Sequence, residues 1–343
     1  MPDPDAPRKP PNRFWLFAPY VALLIAAVGW SVAWVWIRSE VAGRMDAAAT
    51  RLREAGYAID WSRRRIDGYP FRIDVTVDDP RLAERSGWAL TAPQIRAEAY
   101  AYRLDQWIGY APSGVVLSRP SSGAVAITGP ALRASYGGRG PDAPRIAVEG
   151  LKLAFTPKPG AAPFMISAAQ HLDLHVWQAG GDQAEFLLRI DGAAAPAGGL
   201  LAKIAQAQPM DIAWEARLSH ASALHGRDWP AAVQAWSAAG GSLRVEHGLL
   251  NAGATSLNLN PGSLDVGWDG RLRGGIGLDL TQAPNLIRTL AQASAIDPGA
   301  ADSAMTVALA RSGGGAVTRA DLTFIAGAAA FGPVAIGPSP KVY

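Results

Sequence analysis

Along most of the chain, apolar and polar residues alternate with a period of two. In IDVTVD, residues 73–78, three apolar side chains fall on one side and three polar ones on the other. The same alternation recurs in many later segments, which are separated by turn-forming residues at intervals of about 8 to 15 residues. This pattern predicts a mainly β fold, in which a largely antiparallel sheet has one apolar and one polar face.

A few segments depart from this period and are predicted to be helical. They are residues 200–206, 228–241 and 281–295. The second of these begins with Asp228 as an N-cap, has Pro230 in its first turn and ends in two glycines, as is typical of helix termini. Residues 305–312, MTVALARS, alternate and are predicted as a strand.

The most apolar segment lies near the N-terminus. Residues 14–37 include no charged side chain, and 24 residues in a helix are long enough to cross a hydrocarbon core of ~30 Å. Tryptophan and tyrosine lie near both ends of the segment, as in interfacial aromatic belts. We therefore predict a transmembrane helix over 14–37, preceded by a cytoplasmic tail (1–13) and followed by a polar stalk helix (38–56).

Two alternatives to an uncleaved anchor remain open. Ser31-Val32-Ala33 is a small-x-small pattern, so that a signal peptidase could cut after Ala33. A buried core helix is the other alternative, although the segment has no polar face. The basic residues before the span favour a cytoplasmic N-terminus only weakly, because Arg38 and Arg44 follow it. The anchor reading predicts a single-pass inner-membrane protein with its C-terminal domain in the periplasm.

The remaining residues, 57–343, are predicted to form one periplasmic β-rich domain. Turn-rich segments at 137–144 and 195–199 are candidate boundaries, and a sub-boundary near 195–199 would divide the domain in two. Each segment could equally be a loop within one continuous sheet.

A marked turn, Gly68-Tyr69-Pro70-Phe71, precedes the first clear strand. Glycine permits a positive φ and proline fixes its own φ, which together predict a tight turn. We interpret these four residues as a structural turn that converts the stalk into a strand of defined register.

These segments resemble a known family. IDGYPFRIDVTVDDPRL, followed by GWALTAPQIRAEAYAY and preceded by a charged tail and a single span, is similar to the uncharacterised bacterial family numbered 2125 among domains of unknown function. The resemblance reaches FGPVAIGP near the C-terminus and implies association with the cell envelope. A looser likeness joins the chain to AsmA-like envelope proteins, which implies a long curved sheet with an apolar inner face and a link to lipid movement or outer-membrane assembly.

Composition excludes several functions. The chain has no cysteine, so it has neither disulfides nor thiolate sites, and its net charge of +3 does not suit a nucleic-acid binder. Neither a Gly-x-Ser-x-Gly elbow nor a phosphate-binding loop occurs. We therefore expect no enzyme activity, and we assign no catalytic, cofactor-binding or metal-binding residue.

Two charged clusters have both a functional and a structural interpretation. His171, Asp173 and His175 would share one face of a strand, where two of them could chelate a metal, but a row of solvent-facing side chains is the simpler interpretation. The cluster at residues 63–65, three arginines, could bind anionic lipid headgroups or form a solvated basic turn.

The functional expectation follows from the apolar face. Alternation places six residues from distant strands on apolar faces: Val75, Ile95, Ala99, Leu153, Leu174 and Trp214. If the sheet is curved, these faces converge. The six residues would then form a candidate groove for lipid or other hydrophobic cargo. The expected partners are the lipid bilayer and lipids or envelope proteins. The alternative is a non-catalytic envelope scaffold or assembly factor, in which helices cover that face and other proteins bind at sheet edges.

Overall fold

The computed structural model describes residues 14–138, 144–313 and 315–343. The predicted cytoplasmic tail, residues 1–13, lies outside the described residues.

The predicted span and the predicted stalk form one continuous helix, α1 (Phe14–Glu54). After it, Gly56 has a φ of +97°, and the amides of Gly56 and Tyr57 donate to the carbonyls of Arg53 and Leu52. These bonds satisfy carbonyls at the helix end, as glycine-terminated helices commonly do. The stalk half does not stand free of the domain, because Val41 and Ala49 are buried against it.

Residues 58–137 form ten short strands. They are the halves of five long strands, each of which is interrupted once. The strands are β1 (Ala58–Asp60), β2 (Arg63–Asp67), β3 (Arg72–Asp78), β4 (Arg81–Ala83), β5 (Ala89–Thr91), β6 (Gln94–Tyr100), β7 (Arg103–Tyr110), β8 (Val115–Arg119), β9 (Gly123–Thr128) and β10 (Ala131–Gly137). Four of the five interruptions contain a proline, at position 80, 93, 112 or 130. Proline has no N–H to donate to the ladder, which explains why these strands break there.

Ten further strands follow within the described residues from 145 to 338, and most of them are long and unbroken. They are β11 (Arg145–Pro157), β12 (Ala168–Ala179), β13 (Gln183–Ala193), β14 (Met210–Ser219), β15 (Leu243–Ala252), β16 (Thr255–Val266), β17 (Leu272–Thr281), β18 (Val317–Ile325), β19 (Ala328–Phe331) and β20 (Val334–Pro338). The helices among them are α2 (Leu200–Ala205), α3 (Trp229–Ala238), α4 (Ala283–Gln292) and α5 (Pro298–Ser312), with a 3₁₀ turn at Ala221–Ala223.

The sheet is an antiparallel meander, since each long strand pairs with the next one along the chain. On one side of the breaks, β2 pairs with β3, β3 with β6, β6 with β7 and β7 with β10. On the other side, β1 pairs with β4, β4 with β5, β5 with β8 and β8 with β9. β11 pairs with both β10 and β9, and the order then runs without crossovers to β20. The predicted mainly β fold, with an N-terminal apolar helix and a large curved, largely antiparallel sheet, is confirmed, and the sheet is open.

One register row of small or apolar residues crosses thirteen strands. Its members, in order from β2 to β18, are Ile66, Val75, Ala97, Gly109, Ala134, Val148, Leu174, Leu188, Trp214, Gly248, Leu259, Leu278 and Ala320. Because directly paired residues face the same side, this row defines a continuous apolar face.

Helices cover this apolar face at its two ends. The C-terminal half of α1 packs its Trp34 and Val41 against Ile66, Ile73 and Val75. At the other end, α4 and α5 bury the apolar residues of β17 and β18. Between them, α2 closes a third cluster around Leu153 and Met210. The stretch of the face in β10 and β11 is less covered, since Ala134 and Ile146 are exposed.

The curvature brings distant parts of the chain together. The Tyr57 hydroxyl donates to the carbonyl of Gly226 at 3.3 Å, and the amide of Trp229 donates to Glu84 at 3.0 Å. The indole of Trp229 also donates to the carbonyl of Val342 at 3.0 Å. The start of the domain, α3 and the C-terminus therefore meet.

Two sequence predictions differ from the structure. Residues 305–312 belong to α5 and not to a strand, because Asp297 caps a helix whose Ala301, Ala304 and Ala308 are buried on one face. The arginines at 63–65 lie in strand β2 and not in a basic turn. Moreover, the sheet continues from β13 to β14 across the candidate boundary at 195–199, with α2 in the connection.

Candidate functional site

The Gly68–Phe71 turn joins β2 to β3 and is attached to α1. The indole nitrogen of Trp30 donates to the carbonyl of Pro70 at 2.8 Å, and that of Trp34 donates to the carbonyl of Arg72 at 2.9 Å. The hydroxyls of Ser31 and Tyr69 are 2.8 Å apart. The turn is thus held by three polar contacts from one side of the helix.

Ring packing and backbone geometry fix this turn further. The rings of Trp34 and Tyr69 meet edge to face, with centroids 5.5 Å apart. Gly68 has a φ of +102°, and a Cβ at this position would lie 2.7 Å from the carbonyl oxygen of Arg72. Only glycine fits both the positive φ and the close approach. The turn is therefore a hairpin turn between two strands, whereas the sequence predicted that it begins the first strand.

The contacts to the turn come from the uncharged part of α1. Trp30, Ser31 and Trp34 all precede Arg38, the first charged residue after the apolar segment. α1 is the helix of the described residues that is long and apolar enough to span a membrane, and 6% of its most apolar window is buried. This helix suggests a membrane anchor, and the turn lies beside it.

A cavity of about 1020 Å³ opens at the same end of the strands as this turn. Its floor is a second register row, formed by six neighbouring strands from β6 to β13: Glu98, Ile108, Ser135, Ala147, His175 and Leu187. Each member is adjacent in its strand to a member of the apolar row and therefore faces the opposite side.

The cavity is lined by both apolar and charged groups. Tyr100 and Trp177 supply aromatic rings beside Ile108 and Leu187. Arg72 lies on the rim, where its guanidinium is 3.1 Å from Glu98 and 3.6 Å from Asp74.

Arg145 and His175 complete the polar part of the lining. Such a mixture suits an amphipathic molecule, with an apolar part against the rings and a polar part near the ion pair.

The structure separates the six predicted groove residues. Val75 is buried beneath α1, and Leu153 is buried in the cluster that α2 closes. Ala99 is also buried and belongs to the cavity wall. The remaining three, Ile95, Leu174 and Trp214, are half-buried. Of the six, Ala99 alone is among the cavity-lining residues, so a single groove formed by all six stays a prediction.

The histidine cluster forms part of an ion-pair network on the polar face. His171 Nε2 lies 3.4 Å from Asp173 and 3.8 Å from Glu149, and its Nδ1 lies 3.8 Å from Asp191. Single ligand atoms of Glu149, His171 and Asp173 lie within 4.8 Å of one another, which is close enough for a shared cation.

Arginines occupy the same carboxylates. Arg133 binds Glu149 at 2.6 Å, and Arg189 binds Asp191 at 3.0 Å. These bonds with Asp191 raise the pKa of Arg189. Two guanidinium groups thus pair with two of the three carboxylates around His171. His175, which the sequence grouped with this cluster, instead lines the cavity.

The arginine cluster at 63–65 is partly engaged. Arg64 binds Asp46 of α1 through two hydrogen bonds of 2.7 and 3.1 Å. Arg63 and Arg65 are exposed on β2. Arg64 thus attaches the stalk half of α1 to the edge of the sheet.

Sequence reasoning did not find the cavity row. Its residues are mixed in type and come from six strands, so nothing in any one segment distinguishes them. Only the strand register brings Glu98, Ile108 and His175 into one line.

An open antiparallel meander behind an apolar N-terminal helix, with a cavity on its polar face, defines a β-rich domain with a candidate membrane anchor. Within that class, the chain belongs to the family described as an uncharacterized protein conserved in bacteria (DUF2125), which matches residues 34–340. No curated protein and no solved structure matches the chain. The likeness to AsmA-like envelope proteins therefore stays a prediction.

Proposed function

We propose that this protein is a single-pass membrane protein of the bacterial envelope that binds a lipid or another amphipathic molecule in the cavity on its polar face. The observation that carries the proposal is the position of the cavity. Its rim residue Arg72 accepts, through its carbonyl, the hydrogen bond from Trp34 of the apolar helix. A molecule leaving the bilayer would therefore meet the cavity beside the anchor.

The size and lining of the cavity support the same role. A volume of about 1020 Å³ is at the upper end of the range for small-molecule sites, of roughly 300–1,000 Å³. Tyr100, Ile108 and Trp177 offer apolar surface for an acyl chain, and Arg72 can bind a phosphate or carboxylate in competition with Glu98. The proposed role is binding without catalysis.

A matched pair of variants tests the site. Ser135 and Ala134 are adjacent and both exposed, but Ser135 belongs to the cavity floor and Ala134 to the apolar row. The full chain is purified in mild detergent, and bound lipid is measured by native mass spectrometry and by lipid extraction. We expect Ser135→Trp to lose most of the bound lipid because the indole fills the cavity, and Ala134→Trp to keep it.

The other outcomes are informative. Loss of lipid in Ala134→Trp alone would place the lipid on the apolar face, as the predicted groove has it, and would contradict the cavity site. Absence of lipid from the parent protein would contradict cargo binding altogether. Recovery of bound lipid in a chemically altered form would contradict a non-catalytic role.

One observation favours the scaffold as the second candidate. α4 and α5 cover the apolar face over β17 and β18, which is the arrangement expected of a scaffold. If no lipid copurifies, crosslinking of the intact envelope followed by mass spectrometry should instead identify protein neighbours.

We also propose that the domain lies in the periplasm and that the anchor is in the inner membrane. The support is the apolar helix and the basic residues before it, Arg8, Lys9 and Arg13. Alkaline phosphatase fused after Tyr343 should be active in cells, since the enzyme requires export. An inactive fusion combined with an active cytoplasmic reporter would show the opposite orientation.

A further inference from the structure

Two neighbouring hairpin turns carry exposed aromatic rings beside the apolar helix. In the Gly68–Phe71 turn, 55% of Tyr69 and 62% of Phe71 are exposed. In the β6–β7 turn, 65% of Tyr102 is exposed, and its ring stacks on that of Tyr100 at 5.2 Å. The amide of Ala101 donates to the carbonyl of Phe71 at 2.9 Å, which joins the two turns into one surface.

The depth of this surface relative to the span follows from its contacts to α1. Ser31 and Trp34, which bind the turn, lie seven and four residues before Arg38. At 1.5 Å per residue, these contacts lie about 6 to 11 Å from Arg38 along the helix axis, in the direction of the apolar segment. A span of ~30 Å uses about 20 of the 24 uncharged residues. The uncharged helix is therefore only about 6 Å longer than the hydrocarbon core is thick. The turn tips therefore reach the level at which the hydrocarbon core ends.

We propose that Tyr69, Phe71 and Tyr102 form a second membrane contact, in which these rings enter the interfacial layer of the same bilayer that α1 crosses. This inference rests on the proposed membrane anchor but not on cargo binding. Tyrosine suits that layer because its ring is apolar and its hydroxyl is polar, and phenylalanine adds apolar surface. Continuity with the apolar helix identifies a lipid bilayer as the occupant of this surface.

The contact would orient the domain. One helix alone lets a domain pivot, whereas a helix with two adjacent turns fixes which face lies toward the lipid. The cavity rim includes Arg72 and Tyr100, which immediately follow and precede these turns. The cavity mouth would then lie at the membrane surface.

Single-cysteine labelling tests the contact, because the chain contains no native cysteine. Phe71→Cys and Tyr102→Cys are labelled with an environment-sensitive fluorophore and reconstituted as full-length protein into phosphatidylethanolamine–phosphatidylglycerol vesicles. Quenching by lipids brominated at shallow and deep acyl positions then reports depth. Both positions are exposed, so the label does not displace core packing.

Two controls separate the possible failures. Val21→Cys lies in the apolar part of α1 and should be quenched by the deep lipids. Met165→Cys is exposed in the β11–β12 connection, at the opposite end of the strands, and should be quenched by neither lipid.

We expect quenching of the labels at 71 and 102 by the shallow lipids. Quenching at 21 but not at 71 or 102 would overturn this inference alone. Absence of quenching at 21 as well would overturn the membrane anchor on which it rests.

Discussion

The indole nitrogen of Trp34 donates a hydrogen bond to the main-chain carbonyl of Arg72 at 2.9 Å, across 38 residues of sequence. This bond attaches the apolar helix to the first residue of β3. The Trp34 side chain is also buried against Ile73 and Val75, with 7% of the residue exposed. The helix and the sheet are therefore one packed unit, which gives several testable consequences.

Replacing Trp34 should loosen the helix from the sheet. Trp34→Phe keeps an aromatic ring but removes the donor, so we expect a loss of about 0.5–1.5 kcal/mol in the free energy of unfolding. Trp36→Phe is the matched control, because Trp36 is 67% exposed. Denaturant unfolding of the detergent-solubilised domain measures both. Equal stability of the two variants would show that the Trp34 bond contributes nothing.

Gly68 should tolerate no side chain. A Cβ would lie 2.7 Å from the carbonyl oxygen of Arg72, and φ is +102°. We expect Gly68→Val to destabilise the domain by about 1–3 kcal/mol through backbone strain. Gly180→Ala is the control, since nothing lies within 4 Å of its Cβ position and its φ is not positive. A parental melting temperature for Gly68→Val would contradict the role of the turn.

The cluster under α1 should be sensitive to cavities. Ile73 has no exposed surface and packs with Trp34, Val41 and Val75. We expect Ile73→Ala to cost about 2–5 kcal/mol, because buried contacts are lost and a void remains. Ile325→Ala removes the same atoms from a residue that is 68% exposed and should change stability little. Chemical denaturation that found similar losses in both would refute this packing.

The turn between β12 and β13 should respond to acid. The backbone amide and the hydroxyl of Ser222 donate to Asp182 at 2.8 and 2.9 Å and lower its carboxyl pKa below the usual 3.8. The pKa of Asp182 is lower in the folded state than in the unfolded state. Its carboxylate therefore contributes fully to the free energy of unfolding above the unfolded-state pKa, and this contribution is lost as the pH falls through the folded-state pKa.

An NMR titration of the Asp182 carboxyl measures this shift. We expect a midpoint below 3.8, and in Ser222→Ala a midpoint closer to 3.8, because one of the two donors is gone. A midpoint above 3.8 in the parent protein would contradict the assignment.

The N-terminal segment should be retained in the mature protein. Trp30 and Ser31 bind the Gly68–Phe71 turn, and cleavage after Ala33 would remove both contacts. Intact mass spectrometry of protein isolated from membranes should therefore find these residues present. A mature N-terminus at Trp34 would show that the segment is a cleaved signal.

Several elements could be predicted because their signals are local. Asp228 does cap α3, where its side chain accepts a hydrogen bond from the amide of Ala231. The period-two segments did form strands, because alternation determines which side chains share a face. α5 was missed because Thr306 and Val307 suit a strand, whereas Asp297 and the alanine spacing that specify the helix begin before the alternating stretch. β2 was missed because three successive arginines begin it, and β1 because its three residues are too few to show a period.

By itself, the sequence determined an apolar helix, a tight turn after it and a long series of antiparallel strands, since each depends on residues close together in the chain. Only the tertiary structure decided what covers each face. Alternation placed Val75 and Leu174 on the apolar side, but it was the packing of α1 that buried Val75 and left Leu174 half-exposed. Likewise, the cavity floor exists because register aligns six strands, and that register depends on contacts between residues far apart in sequence.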